Sequence, residues 1–196
     1  MPVIRLLGKQ IGFALPQNHV TIDLILREMK KLLDEGADLY PLLFEGTGPP
    51  QERICLENKL TDITGRKAVM TSFKEEQPQA LEAFDLLVIA PCPGNMLMEL
   101  LNASGDPDTQ VKALTHLQTE RPIVLALVAN GSSGDLVRHI EQILTLKSSY
   151  LIPIGVQQLS AQFIITRLDL INETVVHAFM HRQTPPVTFQ HHWLPS

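Results

Sequence analysis

Three short corners hold the residues whose types and spacing could do chemistry, and each follows an apolar run. The central one is Pro91-Cys92-Pro93-Gly94-Asn95, after the run 86–90; the others are Pro16-Gln17-Asn18-His19, after 9–15, and Asn130-Gly131-Ser132-Ser133-Gly134, after 122–129. Apolar runs without polar alternation are expected as strands buried on both faces, as in a parallel sheet. A helix that follows such a corner turns its N-terminal N–H groups and positive dipole end toward it, which favours an anion such as a phosphate. Gly94, Gly131 and Gly134 would let a phosphate or a flat ring come close to the backbone. Asn95 is placed to cap a helix from Met96 to about Ala103.

Each of these residues also has a duller reading. Cys92 is either a reactive thiol at a helix N-terminus or a small buried side chain filling space. His19 could contact a phosphate or simply flank the first helix, and Asn130-Gly131 is by itself a turn signal. His177 and His181 stand at i, i+4 on an expected helix, which is metal-ligand spacing, but no acidic or cysteine partner completes a set and no metal site is assigned. His191-His192 lies in a loose tail, and Met96 and Met98 read as packing residues.

The elements that must position these corners alternate. A strand at 9–15 precedes an amphipathic helix from Thr21, with Ile22, Ile25, Leu26, Met29, Leu32 and Leu33 on one stripe and Gly36 as its stop. A strand at 38–44, a loop at 46–50, a more polar helix at about 51–61 and a short strand near 68–71 follow. Beyond the central strand and its helix come a helical segment from Pro107 to about Thr119, the strand at 122–129, a helix at 135–146, a strand at 150–154 and a closing helix at 172–182. The pattern implies an α/β fold, a three-layer doubly wound parallel sheet of the flavodoxin/Rossmann-like kind. Residues 1–183 form one domain, and 184–196, with Pro185, Pro186 and Pro195, an irregular C-terminal tail. Neither G-x-G-x-x-G, a P-loop nor a G-x-S-x-G elbow is present.

Composition narrows the function classes. The chain has 196 residues, 44% of them hydrophobic, and a formal charge of −5, which does not suit a nucleic-acid footprint or an anionic membrane surface. No 18-residue apolar run occurs, and the first ten residues lack a signal-peptide core. Two cysteines, Cys55 and Cys92, provide no disulfide framework. A reduced, cytoplasmic protein is expected.

Several segments resemble one known family in collinear order. Ile11-Gly-Phe-Ala-Leu-Pro-Gln-Asn-His19, Asp85-Leu-Leu-Val-Ile-Ala-Pro-Cys-Pro-Gly-Asn95 and Leu101-Asn-Ala103 are similar to the B subunit of dipicolinate synthase, as are Arg121-Pro-Ile-Val-Leu125, Ala129-Asn130, Tyr150-Leu-Ile-Pro-Ile-Gly155, Arg167-Leu-Asp-Leu170 and Ala178-Phe-Met-His-Arg-Gln183. That family in turn resembles FMN-binding cysteine decarboxylases and flavin prenyltransferases. The resemblance implies FMN as cofactor, with a nicotinamide nucleotide, NAD(P), left open. It implies Pro16, Gln17, Asn18 and His19 around the phosphate, Pro91, Cys92, Gly94 and Asn95 against the ring, and Ala129, Asn130 and Gly131 at a third ligand-facing turn. Cys92 and Asn95 are the candidates for any chemistry. At the first corner Pro16-Gln17 replaces the wider flavoprotein family's Thr-Gly-Ser, and Pro93-Gly94-Asn95-Met96 has two hydroxyls fewer than the dipicolinate synthase pattern. The decarboxylases carry a histidine just before the central strand. Glu75, Glu76 and Gln77 occupy that region here without one, which argues against cysteine decarboxylation.

The implied role is an oxidoreductase component that works with the A subunit of dipicolinate synthase. Together they would dehydrogenate a dihydrodipicolinate-type precursor, a small carboxylate, to dipicolinate during sporulation. A homo-oligomer, a trimer or a multiple of it, is implied as well, with no nucleic-acid or membrane partner. Two other readings stay open: an interaction protein that kept the fold and lost the flavin, and a stand-alone flavin enzyme acting on a small carboxylate.

Overall fold

The computed structural model describes residues 5–16, 20–44, 49–71, 84–93, 97, 120–130, 140–158, 162–186 and 188–190. Six strands form a parallel sheet: β1 (Gln10–Pro16), β2 (Asp38–Phe44), β3 (Val69–Thr71), β4 (Leu86–Pro93), β5 (Ile123–Asn130) and β6 (Ser149–Leu151). Their order is β3-β2-β1-β4-β5-β6, every pairing parallel. Of the two doubly wound arrangements expected, this is the Rossmann order and not the flavodoxin one.

Alternation along the buried strands builds two cores. Ile11, Phe13, Leu15, Leu86, Val88, Val124 and Ala126 face one side, where α1 (Ile22–Asp34), α2 (Pro50–Thr64) and α3 (Ile171–Phe179) cover them. Ala14, Leu42, Leu87, Ile89, Cys92, Leu125 and Leu127 face the other, against Leu97 and the helical residues 140–145 through Ile140 and Ile143. The chain therefore leaves β1 toward one face and β4 and β5 toward the other.

α1 forms because Ile25, Leu26, Met29 and Leu32 fall on one stripe and are buried, with Asp23 in its first turn and Lys31 in its last. Its end is closed by Gly36 N–H to Leu33 O (2.9 Å) and Ala37 N–H to Leu32 O (3.1 Å), with Gly36 at φ +89°. That double closure is the Schellman arrangement. Among the described residues, no helix is long and apolar enough to cross a membrane.

Three expectations need correction. The strand expected at 150–154 is two elements, β6 and β7 (Ile154–Gln158), and β7 forms an antiparallel hairpin with β8 (Gln162–Thr166). β8 pairs on to the far end of β5, and β9 (Thr188–Gln190), inside the tail expected to be irregular, adds to β7 in parallel. The closing helix stops at Phe179, so His181, at φ +53°, stands beyond it and does not share a helix face with His177. The segments expected at 98–119 and 131–139 lie outside the described residues, as do 72–83.

Candidate functional site

β1, β4 and β5 are neighbours, so their carboxyl ends bring the start of each corner to one rim: Pro16 ends β1, Pro91, Cys92 and Pro93 end β4, and Ala129 and Asn130 end β5. Gln17, Asn18, His19, Gly94, Asn95 and Gly131 fall outside the described residues.

The expected loop at Pro91-Cys92-Pro93 is strand. The β1–β4 ladder runs from Ile11↔Leu86 to Ala14↔Ile89 and goes no further, although β1 continues to Pro16 and β4 to Pro93. β4 instead stays with β5 through a one-residue bulge, since Ile89 faces Leu125 and Cys92 faces Leu127. Pro91 and Pro93 have no N–H to give a ladder, which suits a bulge and leaves the side toward β1 unpaired. The Ala90–Pro91 peptide is cis. β1 and β4 thus part at the rim, at the point where their connections leave for opposite faces. In an open α/β sheet that switch point is where ligands bind.

The described side chains of this rim are apolar. Pro91 is buried, Pro16 and Pro93 are half-buried, and Phe44 at the end of β2 is paired with Pro16. No residue of the described strand ends is charged. Such a surface fits the flat, apolar part of a flavin. It offers no anion-binding N–H at its three prolines, so a phosphate would depend on Gln17, Asn18, His19 and the residues after Pro93 and Asn130.

Cys92 is fully buried among Ile89, Leu125 and Leu127, and burial pushes its thiol up to about 12. At neutral pH it is a protonated packing group. His177 Nδ1 lies 3.0 Å from Thr184 Oγ1, whereas His181 Nδ1 lies 3.5 Å from the Tyr150 hydroxyl, so the two imidazoles serve different partners. Among the described residues, no group of three or more His, Cys, Asp or Glu side chains could hold a metal ion.

Sequence reasoning missed the contribution of β8, whose Ile164 and Phe163 pair with Ala129 and Asn130. The signal was present: Ile154-Gly-Val-Gln-Gln and Gln162-Phe-Ile-Ile-Thr are two strand-like runs a few residues apart.

No family model matches the chain. It is 27% identical over 191 residues to the B subunit of dipicolinate synthase from Bacillus subtilis (strain 168), covering 94% of this chain and 96% of the relative. The crystal structure of the same protein from Bacillus halodurans C superposes with a TM-score of 0.77 at 25% identity, over 94% and 97% of the two chains. The FMN-dependent cysteine decarboxylase SpaF (TM-score 0.58, 15% identity, 88% and 98% covered) and the FMN-binding protein AtHal3 (0.54, 16%, 85% and 94%) share the fold. Over nearly its whole length the chain is similar in sequence and in fold to the dipicolinate synthase B subunit, and it has the Rossmann-like flavoprotein fold.

Proposed function

We propose that this chain is the flavoprotein-like component of a dipicolinate-forming enzyme and holds FMN in the crevice between β1 and β4. The observation that supports this best is the early end of the β1–β4 ladder at the switch point, beside an apolar, bulged strand end. Proline and aliphatic side chains at this rim would pack a planar ring and keep water from it. Asn95 and the Asn130-Gly131 turn would supply its hydrogen bonds, and Asn18 and His19 would meet the phosphate. Bound FMN supplies hydride acceptance, the chemistry needed to aromatise a dihydro ring. The substrate would be a dihydrodipicolinate-type carboxylate, and turnover would need the synthase's A subunit. FMN is preferred to the nicotinamide nucleotide that the sequence left open, because two neighbours of this fold, SpaF and AtHal3, are named for FMN.

Mass spectrometry of the ligand released from the purified protein, with FMN titration followed by flavin absorbance, tests the reading. FMN uptake is expected, weakened in Asn95→Ala, together with product formation only when the partner protein is present. A protein that takes up no flavin overturns the assignment. A second reading, an interaction protein without flavin, is favoured by the prolines at positions 16, 91 and 93, which remove three N–H donors from the rim. It predicts complex formation with the same partner and no flavin bands. Turnover by this chain alone would instead support a stand-alone flavin enzyme.

A further inference from the structure

β5 changes partners along its outer edge. Its first half pairs in parallel with β6, from Ile123↔Ser149 to Leu125↔Leu151, and Ile152 N–H extends that contact by donating to Leu125 O at 3.0 Å. Its far end pairs antiparallel with β8, Ala129↔Ile164 and Asn130↔Phe163. Continued by one step of two residues, that register sets Thr166 opposite Leu127. There the ladder gives way to a side chain: the Thr166 hydroxyl donates to the Leu127 carbonyl. Thr166 is the last residue of β8, half-buried, and its backbone is committed on the other side to Ile154 of β7. One hydroxyl therefore closes the seam where a parallel edge becomes an antiparallel one, three residues before Asn130.

We propose that Thr166 is a positioning residue, whose hydroxyl fixes the register of β8 on β5 and thereby the placement of the Ala129 and Asn130 backbone at the rim. Register needs such a device here, because a slip of one residue would reverse every side chain of β8. Among the described residues two residue pairs join β8 to β5, so the side-chain bond is a large part of what defines their alignment there. The ligand half of the proposal rests on the flavin reading; the register half does not.

The full chain is compared as wild type, Thr166→Val and Thr166→Ser. Valine keeps the shape and loses the donor, whereas serine keeps the donor. Residue-resolved amide exchange is expected to quicken about tenfold in Thr166→Val at 129–130 and 163–165, with Val124 unchanged, as loss of one part-buried hydrogen bond would do. FMN affinity should fall about five- to tenfold in Thr166→Val, and Thr166→Ser should restore both properties. Wild-type exchange at 129–130 in Thr166→Val overturns the proposal. So does a uniform rise across β1, β4 and β5 that serine does not repair, or an unchanged FMN affinity where the wild type binds. Should the wild type take up no FMN, the flavin reading falls and the exchange comparison alone decides the role of Thr166.

Discussion

The Cys92 thiol stands where β4 ends, at a place where a nucleophile would be well sited, but burial holds it neutral by pushing its pKa from 9.0 up to about 12. The folded protein keeps that proton while the unfolded chain loses it from about pH 9, so the folded state binds more protons between the two values. This contribution to stability is complete below pH 9 and is lost as the pH climbs toward 12. Denaturation between pH 8 and 10.5 should therefore show a steeper loss of stability in the wild type than in Cys92→Ala, whatever the other groups contribute. A thiol reagent at pH 8 should titrate one cysteine, the exposed Cys55, and reach Cys92 only after unfolding. Equal slopes, or two rapidly reacting thiols, would contradict the burial. Gly12 makes a second test at this scale. A Cβ there would meet Phe84 Cδ2 at 2.5 Å and Cε2 at 2.8 Å, and the buried ring already packs at a tilt against Tyr40 with centroids 5.1 Å apart. Gly12→Ala should cost about 1–3 kcal/mol in chemical denaturation, as overpacking does. The loss should shrink in a Phe84→Leu background, which frees the space.

Among the elements, the end of α1 is set by one residue. Gly36 at φ +89° lets the chain turn so that Gly36 and Ala37 cap the carbonyls of Leu33 and Leu32. Gly36→Ala forces an L side chain into that region and should lower stability by about 1 kcal/mol, measured by urea denaturation with an unchanged m-value. Elements of this kind were legible beforehand: the stripe Ile25, Leu26, Met29, Leu32 followed by a glycine carries its own period and its own stop. β2 was legible at both ends for the same reason. β4 was legible only as far as Ala90, because Pro91 and Pro93 read as breakers. They are tolerated in a central strand because a bulge lies there and the edge facing β1 has no ladder to complete. The β7–β8 hairpin is local and its two runs could be read, but the pairing of β8 with β5 is nonlocal and was missed. Thr166 and Ile164 are ordered by β5, almost 40 residues earlier. His177 and His181 were grouped by a helical period that stops at Phe179. The rim itself was half legible. The three strand ends could be aligned from sequence, but the parting of β1 from β4 depends on which strands are neighbours, and local pattern does not encode that.

At the scale of the whole molecule, the proposed crevice lies where β1 is followed by α1 on one face of the sheet and β4 by Leu97 on the other, in separate cores. A ligand seated there would touch both halves of the doubly wound sheet, so binding should stabilise the folded domain as a unit. For a ligand present at about 100 times its dissociation constant, linkage gives roughly 2.7 kcal/mol. In a domain of this size each kcal/mol moves the melting midpoint by about 2–4 °C. Saturating FMN should thus raise the midpoint by about 5–10 °C, while NAD at the same concentration should leave it near the free value. Because β5 and β8 meet at the same rim, the amides of residues 129–130 and 163–165 should be protected along with β1 and β4 in the FMN complex. A midpoint that FMN does not move, or that NAD moves as far, would mean that the parted strands do not hold a flavin. Protection confined to the β7–β8 hairpin would put the ligand outside the crevice.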